Sequence, residues 1–186
     1  KTRPVYFWHT DIKRVVKEEY IDEVKESVFS DLIGVKGSLK NAVEQCKSAV
    51  FYPNKGMSIL LTGPSGVGKS YIASLLHKYA IQKGRVNEDA PFVVFNCADY
   101  ADNPELLSAS LFGYIKGSFT GADGDHIGSL ESADGGYLFL DEVHRLSPEG
   151  QEKLFVFMDQ GVFKRLGESK AERKANVRFI FATTEN

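Results

Sequence analysis

The residues of this chain best suited to chemistry stand in one run, Gly63-Pro64-Ser65-Gly66-Val67-Gly68-Lys69-Ser70. Before it lies the apolar run Met57-Ser58-Ile59-Leu60-Leu61-Thr62, which reads as a buried strand. After it, residues Tyr71 to Lys83 carry Ile72, Leu75, Leu76 and Tyr79 on one helical stripe. Glycines at Gly63, Gly66 and Gly68 let the backbone bend tightly and aim N–H groups at an anion, while the helix opening at Lys69 adds the positive end of its dipole. Phosphate is the natural guest. Lys69 would reach the β- and γ-phosphates of a nucleotide as a mobile point charge, and the Ser70 hydroxyl is placed to ligate Mg²⁺. An ordinary glycine turn would not need every fixed position of G-x-x-x-x-G-K-[ST] filled between a strand and a helix.

A second constellation suits the same chemistry. Tyr137-Leu138-Phe139-Leu140 reads as a buried strand that delivers the adjacent carboxylates Asp141-Glu142 at its carboxyl end, beside the phosphate loop on a neighbouring parallel strand. There Asp141 can hold Mg²⁺ through water and Glu142 can polarise an attacking water. Pro91 to Phe95 forms another strand that ends at Asn96, and open α/β sheets bind ligands beyond the carboxyl ends of their strands. The last strand, Asn176 to Ala182, is followed by Thr183 and Thr184, where a hydroxyl can sense the γ-phosphate or the lytic water. Nearer the start, Ile33 and Gly34 precede a helix whose Leu39, Val43, Cys46 and Val50 follow helical spacing. They can line an apolar adenine pocket or serve as a staple for that helix.

The segment Gly113 to Gly124 has a different texture. Glycine is dense in it, and Phe119 stands alone among small and polar residues. Such a segment can rise from the domain and present Phe119 and Thr120 to another surface, or form a turn with Phe119 tucked back. Asn103-Pro104 caps the helix before it, and Gly128 to Ala133 resumes a short helix after it. Ser147-Pro148 caps a further helix, which Gly161 ends. Phe163 to Gly167 then reads as a hairpin edge, and Glu168 to Lys174 as a charged, solvated loop. Arg165 suits either a structural ion pair or a charge aimed at a neighbouring subunit.

Length and composition bound these readings. With 186 residues and 42% hydrophobic content, the chain can bury about 70% of its unfolded surface, enough for one α/β domain. A net charge of −2 argues against a broad nucleic-acid surface on this segment. Cys46 and Cys97 sit in apolar patterns and fit buried free thiols in a reducing cytosol rather than a disulfide framework or a zinc site. No apolar run approaches a membrane span, and neither a spanning segment nor a signal peptide is expected. Lys1 to Phe29 reads as a connecting arm with an aromatic piece, Val5 to Trp8, and a charge-rich helix, Ile12 to Ser27. The expected organisation is an arm over residues 1–30 and an ATPase core over residues 31–186, with both ends cut from a longer protein.

Taken in order, these pieces resemble the AAA+ ATPase domain of bacterial enhancer-binding proteins, the activators of sigma-54 RNA polymerase. The resemblance covers Asp31 to Asn186. Its most specific part, Gly117-Ser118-Phe119-Thr120-Gly121-Ala122, is similar to the family's GAFTGA loop, with Ser118 at the usual alanine. Gly113-Tyr114-Ile115-Lys116, Asp141 to Leu146 and Arg165-Leu166-Gly167-Glu168 resemble the LevR-type subgroup, whose members control sugar phosphotransferase operons and carry phosphotransferase regulation domains. The resemblance implies a three-layer P-loop NTPase fold, a parallel sheet flanked by helices, without its C-terminal lid here. It implies ATP and Mg²⁺ as cofactors, with Ile33, Gly34 and the Gly63 to Ser70 loop binding nucleotide and Ser70 and Asp141 holding the metal. Asn96 would be the switch residue that holds the catalytic Glu142 off its water, and Thr183 the sensor. The Gly117 to Ala122 loop would engage sigma-54. A cytoplasmic hexameric ring, an arginine finger supplied in trans, DNA contact through a separate domain and no membrane contact follow from the same likeness. Slow hydrolysis by this fragment alone is the corresponding expectation. The alternatives are another AAA+ remodelling ATPase, or a nucleotide-gated assembly module without useful catalysis.

Overall fold

The computed structural model describes residues 28–52, 56–100, 102–170 and 172–185. The expected aromatic strand at Val5 to Trp8 and the helix at Ile12 to Ser27 lie outside them. The chain separates into two units, Lys1–Val43 and Glu44–Asn186, so the division falls within the first described helix. In the first unit, residues 28–39 form successive turns, closed by bonds such as Leu39 N–H to Gly34 O at 3.0 Å, and Phe29 and Leu32 are buried. Helix α1 (Lys40–Phe51) follows, with Val43, Cys46 and Val50 buried at helical spacing as their pattern requires.

The second unit is built on a four-stranded parallel sheet. Its strands are β1 (Ile59–Thr62), β2 (Phe92–Asn96), β3 (Tyr137–Asp141) and a later strand, Arg178–Thr183, in the spatial order β1, Arg178–Thr183, β3, β2. Parallel neighbours need helical crossovers, which supply the covering layers. One face, carrying Phe92 and Tyr137, is covered by α2 (Lys69–Gln82), whose His77 stacks on Phe92 at 5.2 Å and meets Tyr137 edge-on at 5.8 Å. The buried stripe of α2 includes Leu75, Leu76 and Tyr79 as expected, together with Ala73 and Ala80. On the other face, Phe95, Leu138, Leu140 and Phe179 form one core with three helices, α3 (Pro104–Phe112), α4 (Ser129–Ser132) and α5 (Pro148–Gln160). The expected caps are present. Asn103 Oδ1 accepts from Leu106 N–H at 3.0 Å, Ser147 Oγ accepts from Gly150 N–H at 3.1 Å, and Gly161 closes α5 at φ 71°.

Two expectations change. Of the strands read as buried, only β3 and the last strand are covered on both faces. β1 and β2 are the outer strands, and each leaves one residue, Leu60 or Val94, 57% exposed on opposite faces of the sheet. The segment Glu168 to Lys174 is also no simple solvated loop. A short strand β4 (Val162–Phe163) pairs antiparallel with β5 (Arg173–Lys174), so the last sheet strand is β6.

Cys46 and Cys97 are both buried free thiols. At Cys97, burial first and the nearby Asp141 carboxylate second push the thiol up to about 12. No helix among the described residues is long and apolar enough to cross a membrane.

Gly136 sits where β3 begins, against Pro91 at the start of β2, and a Cβ there would overlap the Pro91 carbonyl oxygen. The close approach is needed because Tyr137 N–H donates to that same oxygen at 2.8 Å, setting the β2–β3 register. Gly136→Ala is therefore expected to destabilise the chain by about 1–3 kcal/mol. A lowered urea midpoint with unchanged m-value would record it, and an unchanged midpoint would show that the strands can part without cost.

Candidate functional site

The run Gly63 to Ser70 turns from the carboxyl end of β1 into the first turn of α2. Gly68, the residue before α2, has φ 96° and Gly66 has φ 78°, left-handed conformations that a side-chain-bearing residue adopts only with strain. Lys69 is 8% exposed, and its Nζ donates to Gly63 O at 2.7 Å and Pro64 O at 3.0 Å. A buried ammonium is costly unless bonded. The loop's own carbonyls meet that need here, so the loop curls around a cation at its centre. Ser70, exposed in the same first turn, and Val67, 56% exposed, stand outside that curl.

The register of the sheet sets the other groups on the same edge. Asn96 pairs with Asp141 across β2 and β3, and Thr62 pairs with Thr183 across β1 and β6. Gly63 N–H donates to Thr183 O at 3.3 Å, joining the start of the phosphate loop to the end of β6. The expectation that loop and acidic pair ride on neighbouring strands is thus corrected. β6 lies between β1 and β3, setting those two strands about 10 Å apart. The last strand in sequence occupies the centre because a parallel strand can be inserted wherever its crossover reaches. Thr183, at the end of β6, thus stands between the glycine loop and the carboxylates.

Asp141 Oδ1 accepts from Glu142 N–H at 3.0 Å. Glu142 has φ 50°, the one non-glycine positive φ among the described residues. That conformation costs about 1–3 kcal/mol and is characteristic of functional positions. Its Oε2 accepts from Thr184 Oγ1 at 2.8 Å and lies 3.3 Å from His144 Nδ1, which is 3.0 Å from Thr183 Oγ1. Asn96 was expected to hold Glu142. Its amide instead donates to Asp99 Oδ1 at 3.1 Å, and its Oδ1 accepts from Ala98 N–H at 3.1 Å. The hydroxyl that touches Glu142 belongs to Thr184, the neighbour of the expected sensor. His144 carried no functional signal in sequence, because one of the two groups it joins, Thr183, ends a strand 39 residues later.

Mg²⁺ fits this donor set. Among the described residues no group of three or more His, Cys, Asp or Glu side chains could hold a metal. One hydroxyl and one carboxylate, Ser70 and Asp141, are what a magnesium ion completed by phosphate oxygens and water uses. Ile33 and Gly34 belong to the first unit, where Ile33 is 93% exposed and Gly34 has φ 87°.

The glycine-rich segment after α3 is folded on itself. Gly117 N–H donates to Ala122 O at 2.9 Å and Ala122 N–H to Phe119 O at 3.1 Å. Phe119 is 41% exposed with its ring edge-on to Tyr114 at 5.0 Å, so both readings hold in part: the tip is presented and its aromatic leans back. Thr120 and Gly121 are exposed, while Ala122 is buried and Ser118 Oγ is buried without a hydrogen-bond partner. The base of the loop is tied down by Tyr114, which bridges His126 on one side and Leu166 on the other. A groove of about 920 Å³ opens beside Phe119 and Thr120, with Leu106, Pro148 and Lys153 in its walls.

Arg165, left open between two roles, is a structural cation here. It is 6% exposed, and its Nε and Nη2 donate to Glu131 Oε2 at 3.0 and 2.8 Å. Arg173 reaches Glu131 Oε1 at 3.4 Å and Glu168 Oε1 at 2.9 Å, joining α4, β5 and the turn after Leu166. Its hydrogen bond holds the Glu168 carboxyl below the usual carboxylate range.

Residues 32–186 match the family model described as the Sigma-54 interaction domain. The transcriptional regulatory protein LevR of Bacillus subtilis (strain 168) is 57% identical over 155 residues, covering 83% of this chain and 17% of that protein. The transcriptional regulatory protein DagR of Salmonella typhimurium is 47% identical, covering 98% of this chain and 21% of its own length. This chain thus spans about a fifth of either regulator. Among solved structures, NtrX from Brucella abortus in complex with ATP superposes with a TM-score of 0.63 at 29% identity, over 96% of this chain and 37% of that one.

Removing one member of a buried ion pair strands its partner. Glu131→Ala is expected to cost about 3 kcal/mol, because Arg165 keeps its charge in a buried place. Thermal or urea unfolding measures this, and a loss below the scatter of surface mutants would mean that Arg165 finds water.

Proposed function

The chain belongs to the sigma-54 interaction domain family, and from that premise we propose that it is the ATP-hydrolysing motor of a sigma-54-dependent transcriptional regulator. It remodels RNA polymerase bound to sigma-54 through residues Gly117, Ser118, Phe119, Thr120, Gly121 and Ala122. The observation that carries this reading is the shared sheet edge, where the loop around Lys69, Thr183 and the Asp141-Glu142 pair follow one another along the strand order. NtrX, solved with ATP, supports ATP as the nucleotide.

In this reading the β- and γ-phosphates occupy the Gly63 to Ser70 loop, and Lys69 exchanges two carbonyls for phosphate oxygens. Glu142 polarises a water, which attacks the γ-phosphorus as the bond to the β–γ bridging oxygen breaks, leaving ADP and phosphate. Magnesium held by Ser70 and Asp141 would neutralise charge on the phosphates. Asn96 is the switch that takes Glu142 out of line when its amide leaves Asp99, and Thr183 reports on the γ-phosphate. Ile33 and Gly34 line the adenine pocket. Phe119 and Thr120 are the contact to sigma-54, supported by their exposure on a loop anchored at Tyr114.

The remaining parts of the reading concern the whole regulator. It works as a cytoplasmic hexameric ring that completes each ATP site with a neighbour's arginine and binds DNA through another domain. Control of a sugar phosphotransferase operon is supported by the LevR-type residues and by the similarity to LevR and DagR.

In the full-length regulator, Lys69→Ala is expected to weaken ATP binding by about a hundredfold, the scale of one or two bonds to a charged phosphate. Thr120→Ala should leave ATP affinity and turnover within about twofold while transcription from a sigma-54 promoter stops. Calorimetry, phosphate release and a promoter assay separate the two effects. Activation surviving Thr120→Ala would refute the loop's role, and nucleotide binding surviving Lys69→Ala would refute the site.

A further inference from the structure

Glu142 can lean toward either neighbour of its strand. β3 is flanked by β2, which ends at Asn96, and by β6, which ends at Thr183. The carboxylate sides with β6, the strand between it and the phosphate loop, and two groups take it there: the Thr184 hydroxyl at 2.8 Å and His144 Nδ1 at 3.3 Å. The imidazole is the better placed to act as a link, because the same Nδ1 lies 3.0 Å from Thr183 Oγ1. His144 follows Glu142 in the short helical turn Val143–Arg145, with its side chain 16% exposed, and is fixed between the ends of β3 and β6. Thr183 Oγ1 already accepts from Glu185 N–H at 3.1 Å, and the Glu142 carboxylate can only accept. The carboxylate therefore calls for a proton on Nδ1, which Thr183 Oγ1, still able to accept a second bond, can share. Among the described residues, the far nitrogen, Nε2, faces the exposed Glu185 carboxylate at 3.7 Å, too long for a hydrogen bond.

We propose that His144 is a positioning residue for ATP hydrolysis, whose Nδ1–H holds Glu142 on the phosphate-loop side of β3 and ties its orientation to Thr183. This rests on the hydrolytic reading of the site. Any displacement of the Thr183 hydroxyl changes the sharing at Nδ1 and hence the hold on Glu142. The left-handed backbone of Glu142 leaves that side chain's direction to its hydrogen-bond partners rather than to helix or strand continuation. His144 thus opposes Asn96: one neighbour strand retains the carboxylate over the site, the other receives it when it turns away.

The proposal separates the two ring nitrogens, and so does its test. In an asparagine at position 144 the amide nitrogen superposes on Nδ1, whereas a glutamine places its amide near Nε2. In the full-length regulator, His144→Leu and His144→Gln are expected to lower kcat for ATP about tenfold or more, with KM and the affinity for ADP unchanged, while His144→Asn retains most of the turnover. In the nucleotide-free 186-residue chain, nitrogen NMR of the imidazole should find the proton on Nδ1. Equal loss in the Asn, Gln and Leu variants, unchanged kcat in all three, an effect confined to KM, or a bare Nδ1 would each overturn the assignment. Wild-type regulator that fails to hydrolyse ATP would instead overturn the hydrolytic reading beneath it. Turnover that is lost in Lys69→Ala but intact in His144→Leu would remove only the present inference.

Discussion

The site depends on a backbone constraint, the parallel register that sets Thr62 opposite Thr183 and Asn96 opposite Asp141. Parallel strands all end on the same edge, and each must hand over to a crossover there, so the residues just past the strand ends face one another without being near in sequence. Glycines, carboxylates, a histidine and threonines from three strand ends are brought together in this way. Slipping one strand by a single residue would turn its terminal side chains to the opposite face of the sheet. The Tyr137 to Pro91 bond across the start of β2 and β3, possible only because Gly136 lacks a Cβ, holds against such a slip at the far end.

Charge is the second constraint. Lys69 is buried at the centre of a loop, and its ammonium is satisfied by two carbonyls of that same loop. Glu142 is held by the hydroxyl of Thr184, from another part of the chain, and by the imidazole of His144, two residues on. Both groups are therefore bonded in a way that a phosphate or a water can replace without leaving a bare charge behind. A site built like this is poised to exchange partners. The strained backbone at Glu142 belongs to the same logic, since it keeps the carboxylate at the strand end instead of continuing β3.

The glycine-rich loop relies on the opposite arrangement, a tied base under an exposed tip. Tyr114 is tied to His126 and Leu166, and behind Leu166 the Arg165, Glu131, Arg173 and Glu168 charges bind α4 to the β4–β5 pair. Phe119 leans on Tyr114 while Thr120 and Gly121 face outward.

Local chemistry explains what could be read from the chain alone. The phosphate loop, the caps at Asn103 and Ser147, the amphipathic α1 and α2, and the acidic end of β3 are written in contiguous residues, because each answers to backbone geometry or to a short-range period. Family likeness came from such contiguous runs, and the match over residues 32–186 agrees with it. Strand order is different: nothing in a parallel strand's own residues states its neighbours, so β6 between β1 and β3 had to come from the fold. The same holds for Arg165 beside Glu131, 34 residues away, and for His144 between Glu142 and Thr183. Sequence by itself determined which residues have the donor and acceptor chemistry suited to phosphate and to water. Only tertiary structure decided which of them touch, because side-chain partners across strand ends are set by crossover paths rather than by spacing along the chain.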